Sequence, residues 1–425
     1  MALGGGIFTS QTKVLPGSYI NIVSTGTAQS NLGERGVVAI PMLLNWGDSG
    51  EVITVTAAEF QRKSLSIFGY NYDAHEMLEL RELFKHAQKA HVYNTATGSA
   101  KATCKYATAK KAGVRGNDMK VVIQKNIDDE TLYDVSVYLG TALVHSETVA
   151  AVTDLKENEF VTWGSTALTV EAGVTLTGGT TGAQDTASLQ AALDAFENYS
   201  FNVLHTPSAD AIDLFVAYTK RMRDERGVKF QTVIPAVKGS DYEGVVEVPA
   251  DQPATTWVAG VLAGCAVNKS CTNMKYDGEK TIPVTRTQSE LEQSIKDGIF
   301  VFHKVEDEVR VLVDINSLVT FTDEKNEMFS SNQVIRVIDQ CANDTARIFN
   351  NKYLGKVQND KSGRVSLWND IVTHRRELEQ IRAIDAYDSG VLVVEAGSHK
   401  NSVVVSEVIV PVASMEKLYM TIVIN

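Results

Sequence analysis

The alternation of apolar and polar positions is clearest at the end of the chain, where two strand-like runs, 402–410 and 418–424, flank a break at 411–414. In the second run Leu418, Met420, Ile422 and Ile424 fall on one side and Tyr419, Thr421 and Val423 on the other, the period of two that marks a β-strand. Both sides are apolar or amphipathic. Such a strand templates aggregation when left as a free edge. The pattern therefore admits two readings: a final strand within its own domain, or a strand given to a neighbouring subunit's sheet. Near the other end, in a stretch rich in Gly, Ser and Thr, only 14–23 reads as ordered: Pro16 and Gly17 make a turn, and Tyr19, Ile20, Asn21, Ile22 and Val23 form a short strand with no partner nearby in sequence.

From Gly36 onward the pattern changes to alternating strand and helix units. A strand is expected over 37–40, a helix over 73–89 and a strand over 91–93. The helix starts with Asp73 and Glu76 in capping-box spacing and carries Met77, Leu80, Phe84 and Ala87 on one stripe. At 95–99 the composition turns to small polar residues, and it turns back at 177–182 (TGGTTG). Between these points, runs at 120–125, 132–139 and 143–149 have the spacing of a β-sandwich or barrel. Two small-residue junctions around an all-β block predict a domain inserted in a surface loop of another, dispensable for the surrounding fold. Helices over 186–198, 208–226 and 254–267 then alternate with strands over 201–205 and 229–234, the pattern of a layered core with largely parallel pairing. Thr287 and Glu290 box the start of a further helix that closes at Gly298. A hairpin over 299–303 and 309–315 and two long helices, 332–351 and 366–383, lead to the terminal strands.

A chain of 425 residues exceeds one ordinary core, and its 44% hydrophobic and 22% charged content is that of a soluble globular protein. The longest apolar segment, 257–267, is far short of a bilayer span. The first residues have no basic start followed by an apolar core, so no secretory signal is expected, and folding in the cytosol is. The net charge of −12 opposes nucleic-acid binding. Cys104, Cys265, Cys271 and Cys341 match neither zinc nor redox spacing and read as reduced thiols.

Candidate chemistry is thin. Gly178, Gly179 and Gly182 precede a helix but lack the Lys-Ser/Thr of a phosphate loop, and read as a linker. Asp128, Asp129 and Glu130 fall where a hairpin turn belongs. His75-Glu76 has no second histidine one turn on. His374 lies on the stripe of Leu367, Ile371, Leu378 and Ile381, as a hydrogen-bonded core histidine would. No nucleophile with a base, carboxylate pair or metal set can be assembled, so catalytic residues, cofactors and metals are all expected to be absent. An α/β enzyme or a cell-surface lattice protein would be the alternatives, and neither has a positive feature.

Several stretches, in order along nearly the whole chain, carry a resemblance: PGSYINIVS (16–24), LTGGTTG (176–182), WVAGVLAGCAVNKSCTNMKYDG (257–278), FHKVEDEVRVLVDINSLVTFT (302–322), SNQVIRVIDQ (331–340), YLGKVQND (353–360) and SMEKLYMTIVIN (414–425). In these the chain closely resembles the contractile tail sheath proteins of myophage-type phages, in particular those of Gram-positive prophages and phage-tail-like bacteriocins. The resemblance implies a mixed α/β, multi-domain fold: a layered α/β core, an inserted all-β, sandwich-like domain, and extended terminal β-arms. The division expected is an amino-terminal arm (1–30), the sheath core (31–96 and 183–282), the insert (97–182), a tube-proximal α/β domain (283–415) and a carboxy-terminal strand arm (416–425). It also implies a non-enzymatic subunit that stacks with copies of itself as hexameric rings around a tail tube, contacts baseplate and tail terminator proteins, and contracts to drive the tube through a cell envelope. Neither nucleic acid nor membrane insertion is expected. The protein would belong to a virion or tail-like particle, assembled in the bacterial host cytoplasm and released by lysis.

Carried onto this chain, Tyr19 to Val23 and Leu418 to Ile424 become the donated strands. Their acceptor would be the strand pair around Val391, Val393, Val403, Val405, Val408 and Val410. The two long helices bury their apolar stripes, leaving Arg336, Arg347, Arg375 and Arg376 as candidates to face an acidic tube.

Overall fold

The computed structural model describes residues 32–235 and 237–424. Strand β1 (Val37–Met42) runs through the middle of a six-stranded sheet, and its interior residues are buried. Beside it come β2 (Val52–Thr56), helix α1 (Ala57–Phe68), helix α2 (Leu78–Phe84) and β3 (Lys89–Asn94). Helix α1 was not expected, although Thr56 and Glu59 form a full capping box at its start. The helix expected over 73–89 is a 3-10 turn, His75–Met77, followed by the short α2; no side chain caps it, and the chain re-enters the sheet at Lys89.

The insert follows: β4 (Ala107–Ala109), β5 (Met119–Lys125), β6 (Tyr133–Leu139), β7 (Ala142–Val149), β8 (Val161–Trp163) and β9 (Glu171–Thr175). They form an antiparallel sheet ordered β7-β6-β5-β9 and a separate β4-β8 pair. Alternate residues, among them Met119, Val121, Ile123, Val135, Val137 and Leu139, fill the space between. The small-residue junctions are a paired stem, with antiparallel bridges Thr97 to Ala183, Ala100 to Thr180 and Thr103 to Thr177. Trp46, which follows β1, is fully buried in this cluster, its indole N–H donating to the Ser66 carbonyl at 3.3 Å. The insert thus shares a side chain with the domain that carries it.

The α/β pattern resumes with α3 (Thr186–Phe196), β10 (Val203–His205), α4 (Ile212–Lys220), β11 (Gln231–Ile234), β12 (Val245–Glu247) and α5 (Thr255–Gly264). The sheet order is β12-β11-β10-β1-β3-β2, parallel throughout except for the β2-β3 pair. Leu189, Leu193, Phe196 and Phe215 cover one face; α1, α2 and α5 cover the other. Helix α5 is apolar on all sides after its two opening threonines and is buried from Thr255 to Ala263. A Cβ at Gly260 or Gly264 would overlap the carbonyls of Leu83 and His86, so only glycine permits its approach to α2.

Helix α6 (Gln288–Lys296) starts with the expected Thr287–Glu290 capping box and is followed by a left-handed Gly298. The hairpin of β13 (Phe302–Val305) and β14 (Glu308–Val311) packs into the core, with Phe300, Phe302 and Val311 joining Trp257 and Val258. Core packing therefore continues past 282. Then come α7 (Asn332–Ile348), α8 (Lys361–Gln380) and the antiparallel pair β15 (Val393–Ala396) and β16 (Val403–Ser406). Helix α8 starts five residues earlier than its apolar stripe suggests, because Asp360 caps it by accepting the Gly363 N–H at 2.7 Å.

Candidate assembly surfaces

Beyond α8 the chain builds a small sheet and then leaves the body. Trp368 donates its indole N–H to the Leu392 carbonyl at 3.0 Å, and Asn359 donates to the carbonyls of Lys400 and Ser402, so the β15-β16 hairpin is pinned at both ends to the start of α8. Glu407, just past β16, takes a bidentate pair from Arg375 (3.0 and 2.5 Å) and the Tyr387 hydroxyl. This sheet has only two strands among the described residues, so each keeps one open edge. Val393 and Val405 lie on its strands and are exposed; Val403 is half-buried against the α7-α8 cluster. Val391, Val408 and Val410 flank the hairpin, and the Val410 carbonyl accepts the Asp385 N–H.

Among the described residues the last segment is fastened as far as Glu416 and no further. Gln333 on α7 donates to the Val412 carbonyl at 3.1 Å and accepts both the N–H and the hydroxyl of Ser414, while Thr272 donates to Glu416. From Lys417 to Ile424 no hydrogen bond ties the segment to any described residue, and all its apolar side chains are exposed. The least exposed, Met420, is at 71%. Both sides of the alternating run are bare, and the run pairs with no described strand. Tyr19 to Val23 lie outside the described residues.

Four family models match in tandem: the tail sheath protein Gp18 domain III N-terminal region over 35–94, the phage tail sheath protein beta-sandwich domain over 95–190, its central domain over 182–317, and the phage tail sheath C-terminal domain over 324–425. The phage-like element PBSX protein XkdK of Bacillus subtilis is 30% identical over 472 aligned positions that span 100% of both chains. The chain belongs to the phage tail sheath family. In three dimensions this sheath protein superimposes on the sheath tail protein of Desulfitobacterium hafniense with a TM-score of 0.81 and 35% identity, covering 94% of this chain and 98% of that one. It shares its fold, at 11% identity and a TM-score of 0.58, with the helical sheath of the anti-feeding prophage in its contracted state, covering 97% of this chain and 99% of that one. Its role is that of a structural tail component.

Of the four arginines expected to face a tube, two do not reach the surface of the sheath subunit. Arg336 is 1% exposed, with its guanidinium 2.7 Å from Asp314 and 3.0 Å from the Lys269 carbonyl. Burial disfavours its charge, but Asp314 outweighs that and holds its pKa above the ordinary value. Arg375, also 1% exposed, spends its guanidinium on Glu407, Thr345 and His374. For Arg336 the expectation fails because α7 does not have one wet side: Gln333, Arg336, Gln340 and Asp344 are buried along with Val334, Val337 and Cys341, since segments pack around the helix on several sides; for Arg375, on α8, it fails because Glu407, Thr345 and His374 close over the guanidinium. Arg347 and Arg376 do lie at the surface, each beside a carboxylate on its own helix, Asp344 and Glu379.

His374 is the core histidine its stripe suggested. A guanidinium can only donate, so His374 Nδ1 accepts from Arg375 and Nε2–H donates to Asp344 at 2.8 Å. Among the described residues no helix is long and apolar enough to cross a membrane.

Proposed function

We propose that this chain is the repeating subunit of a contractile tail sheath, stacking as hexameric rings around an inner tube and shortening to drive that tube through a cell envelope. Leu418 to Ile424 are given to the open β15-β16 hairpin of a neighbouring subunit, and Tyr19 to Val23 act in the same way at the other end. The observation that carries this reading is one apolar, strand-patterned segment with no partner among the described residues, in a chain whose β15-β16 sheet has two strands and open edges among those residues. About seven residues joining such a sheet form several main-chain hydrogen bonds at roughly 0.5–1.5 kcal/mol net each, enough to hold neighbours together through a rearrangement. The particle is a virion or tail-like particle assembled in the host cytoplasm, and its other partners are the tube, the baseplate and the tail terminator. Arg347 and Arg376 are the remaining candidates to meet an acidic tube.

The test is removal of 417–425. The truncated protein is expected to be soluble and folded, with the circular dichroism and melting of the unassembled parent, and to form no tubes by sedimentation or negative-stain microscopy. Regular tubes from the truncated protein refute strand donation.

A further inference from the structure

The two ends of the described chain are fastened to the same helix. At the amino-terminal side, the Gly33 N–H donates to both carboxylate oxygens of Asp344 at 3.1 Å, and the Gly33 carbonyl accepts from Gln340 at 3.3 Å. Asp344 is 2% exposed and is held in turn by Gln340 and His374. The fit needs a glycine: a Cβ at position 33 would stand 2.7 Å from Asp344 Oδ1, 2.9 Å from Gln340 Nε2 and 3.2 Å from Arg347 Nη1. At the carboxy-terminal side, Gln333 engages Val412 and Ser414 as a neighbouring strand would, with its amide N–H on one carbonyl and its amide oxygen on the N–H two residues later. A second tie runs through Thr272, whose hydroxyl donates to Glu416 and accepts the N–H of Asp314, the buried partner of Arg336.

These contacts come from one stripe of α7. Gln333, Arg336, Gln340 and Asp344 follow each other at three- and four-residue intervals, and the 11 steps from the first to the last span about 17 Å of helix at 1.5 Å each. The α-helix resists extension because lengthening it breaks its own hydrogen bonds, whereas a loop lengthens by rotating its dihedrals.

We propose that α7 is the load path between the two arms of each subunit, with Gly33 on Asp344 and Ser414 on Gln333 as its two roots. This rests on the reading that the arms join neighbours. Pull on the segment preceding Leu32 reaches the helix at Asp344, ahead of the chain's own entry into β1 at Val37, and leaves it at Gln333 toward Glu416, so the helix takes its share of the load before the α/β core does. Gln333 and Asp344 are thus positioning residues: they fix where each arm departs and touch no neighbour themselves.

Roots in series have a signature that a merely structural role lacks. The full-length chain carries Gln333→Leu, which removes both polar atoms of one root, or Gly33→Ala, which forces the other away from Asp344 without altering the helix, or both. The urea midpoint at which preformed tubes dissolve is measured by sedimentation, and the melting of unassembled subunits serves as the control. Each single variant is expected to lower the tube midpoint while moving subunit melting by no more than a few degrees, and the double variant to fall no further than the weaker single. Additive losses, an unchanged tube midpoint, or a loss matched by subunit melting would overturn the load path. The chain lacking 417–425, run alongside, separates the two questions: tubes from it remove strand donation and this inference with it, whereas its failure to assemble together with additive variants removes the load path alone.

Discussion

Excising Thr97 to Gly182 looks harmless at the junction, where Thr97 and Ala183 already face each other across an antiparallel bridge, about 5 Å between Cα atoms. The cost arises elsewhere. Trp46 belongs to the carrying domain but is fully buried among residues of the insert, its ring centroid 6.5 Å from that of Phe160. Burying a tryptophan removes roughly 150–250 Å² from water, which at about 25 cal/mol per Å² is on the order of 4–6 kcal/mol, an upper estimate. Excision also strips partners from Gly47, Asn45 and Gly69, which bond to Ala112, Arg115 and Thr181 across the junction. Against a typical stability of about 5–15 kcal/mol, exposing Trp46 consumes a large share. The excised chain is therefore expected to lose most of its urea resistance, with Trp46 emission shifted to the red, and Trp46→Ser in the excised background is expected to restore solubility. An excised chain with Trp46 intact and an unchanged urea midpoint would show that the insert contributes nothing to the core and would refute the argument.

Further outcomes follow from the buried charges and the surface. Asp314→Ala leaves the Arg336 guanidinium buried without its carboxylate and is expected to destabilise by roughly 3–5 kcal/mol, whereas Arg376→Ala breaks an exposed pair worth less than about 1 kcal/mol; chemical denaturation of both ranks them. Asp314 and Asp344 both titrate below their ordinary 3.8: burial pushes each up, but Arg336 outweighs it for the first and hydrogen bonds led by that of His374 for the second. A depressed carboxyl contributes stability that is complete above its unfolded value and lost as pH falls through its folded one, so the urea midpoint should fall below about pH 4 and fall less steeply in Asp314→Asn. Arg376→Glu is expected to weaken co-sedimentation with tube protein at unchanged melting temperature, and an unchanged yield on tubes removes that residue from the proposed contact. If strand pairs persist in both states of the sheath, the driving energy lies in contacts made only on contraction. Subunits without tube should then form monomers or contracted-type tubes in micrographs, never a stable extended lattice.

Much of the architecture was legible because it follows short-range rules. The parallel sheet announced itself in β-branched runs separated by helical stripes, the insert in its composition change, and α6 in a capping box. Helix α1 was equally legible in Thr56 and Glu59 but sits directly against β2, with no polar loop to set it apart. Trp46 could not have been placed, since nothing local distinguishes a tryptophan that covers its own sheet from one that covers an insert. Arg336 was misplaced for a related reason. A helical stripe reports one packed face, and α7 packs on several, with Arg336 and Asp339 making ion pairs to residues 22 and 116 positions away. Such long-range partners leave no periodic trace.

The terminal run and α7 differ in how easily the sequence shows them. The terminal run is apolar and bare, an arrangement that costs free energy in water and so stands out in the pattern of the sequence. The helix beneath it is the inverse, polar and buried, where each side chain is tolerated because another segment supplies its hydrogen bonds. Gln333 would be a liability in a core without Val412 and Ser414, and so would Asp344 without Gly33 and His374. On the proposed reading, that dependence makes these residues specific: an apolar contact could let a departing segment slide, whereas a buried amide or carboxylate that loses its partner costs about 1–3 kcal/mol at once, more when charged. The apolar segment then supplies cohesion between subunits, and the buried polar stripe fixes the point from which that cohesion pulls.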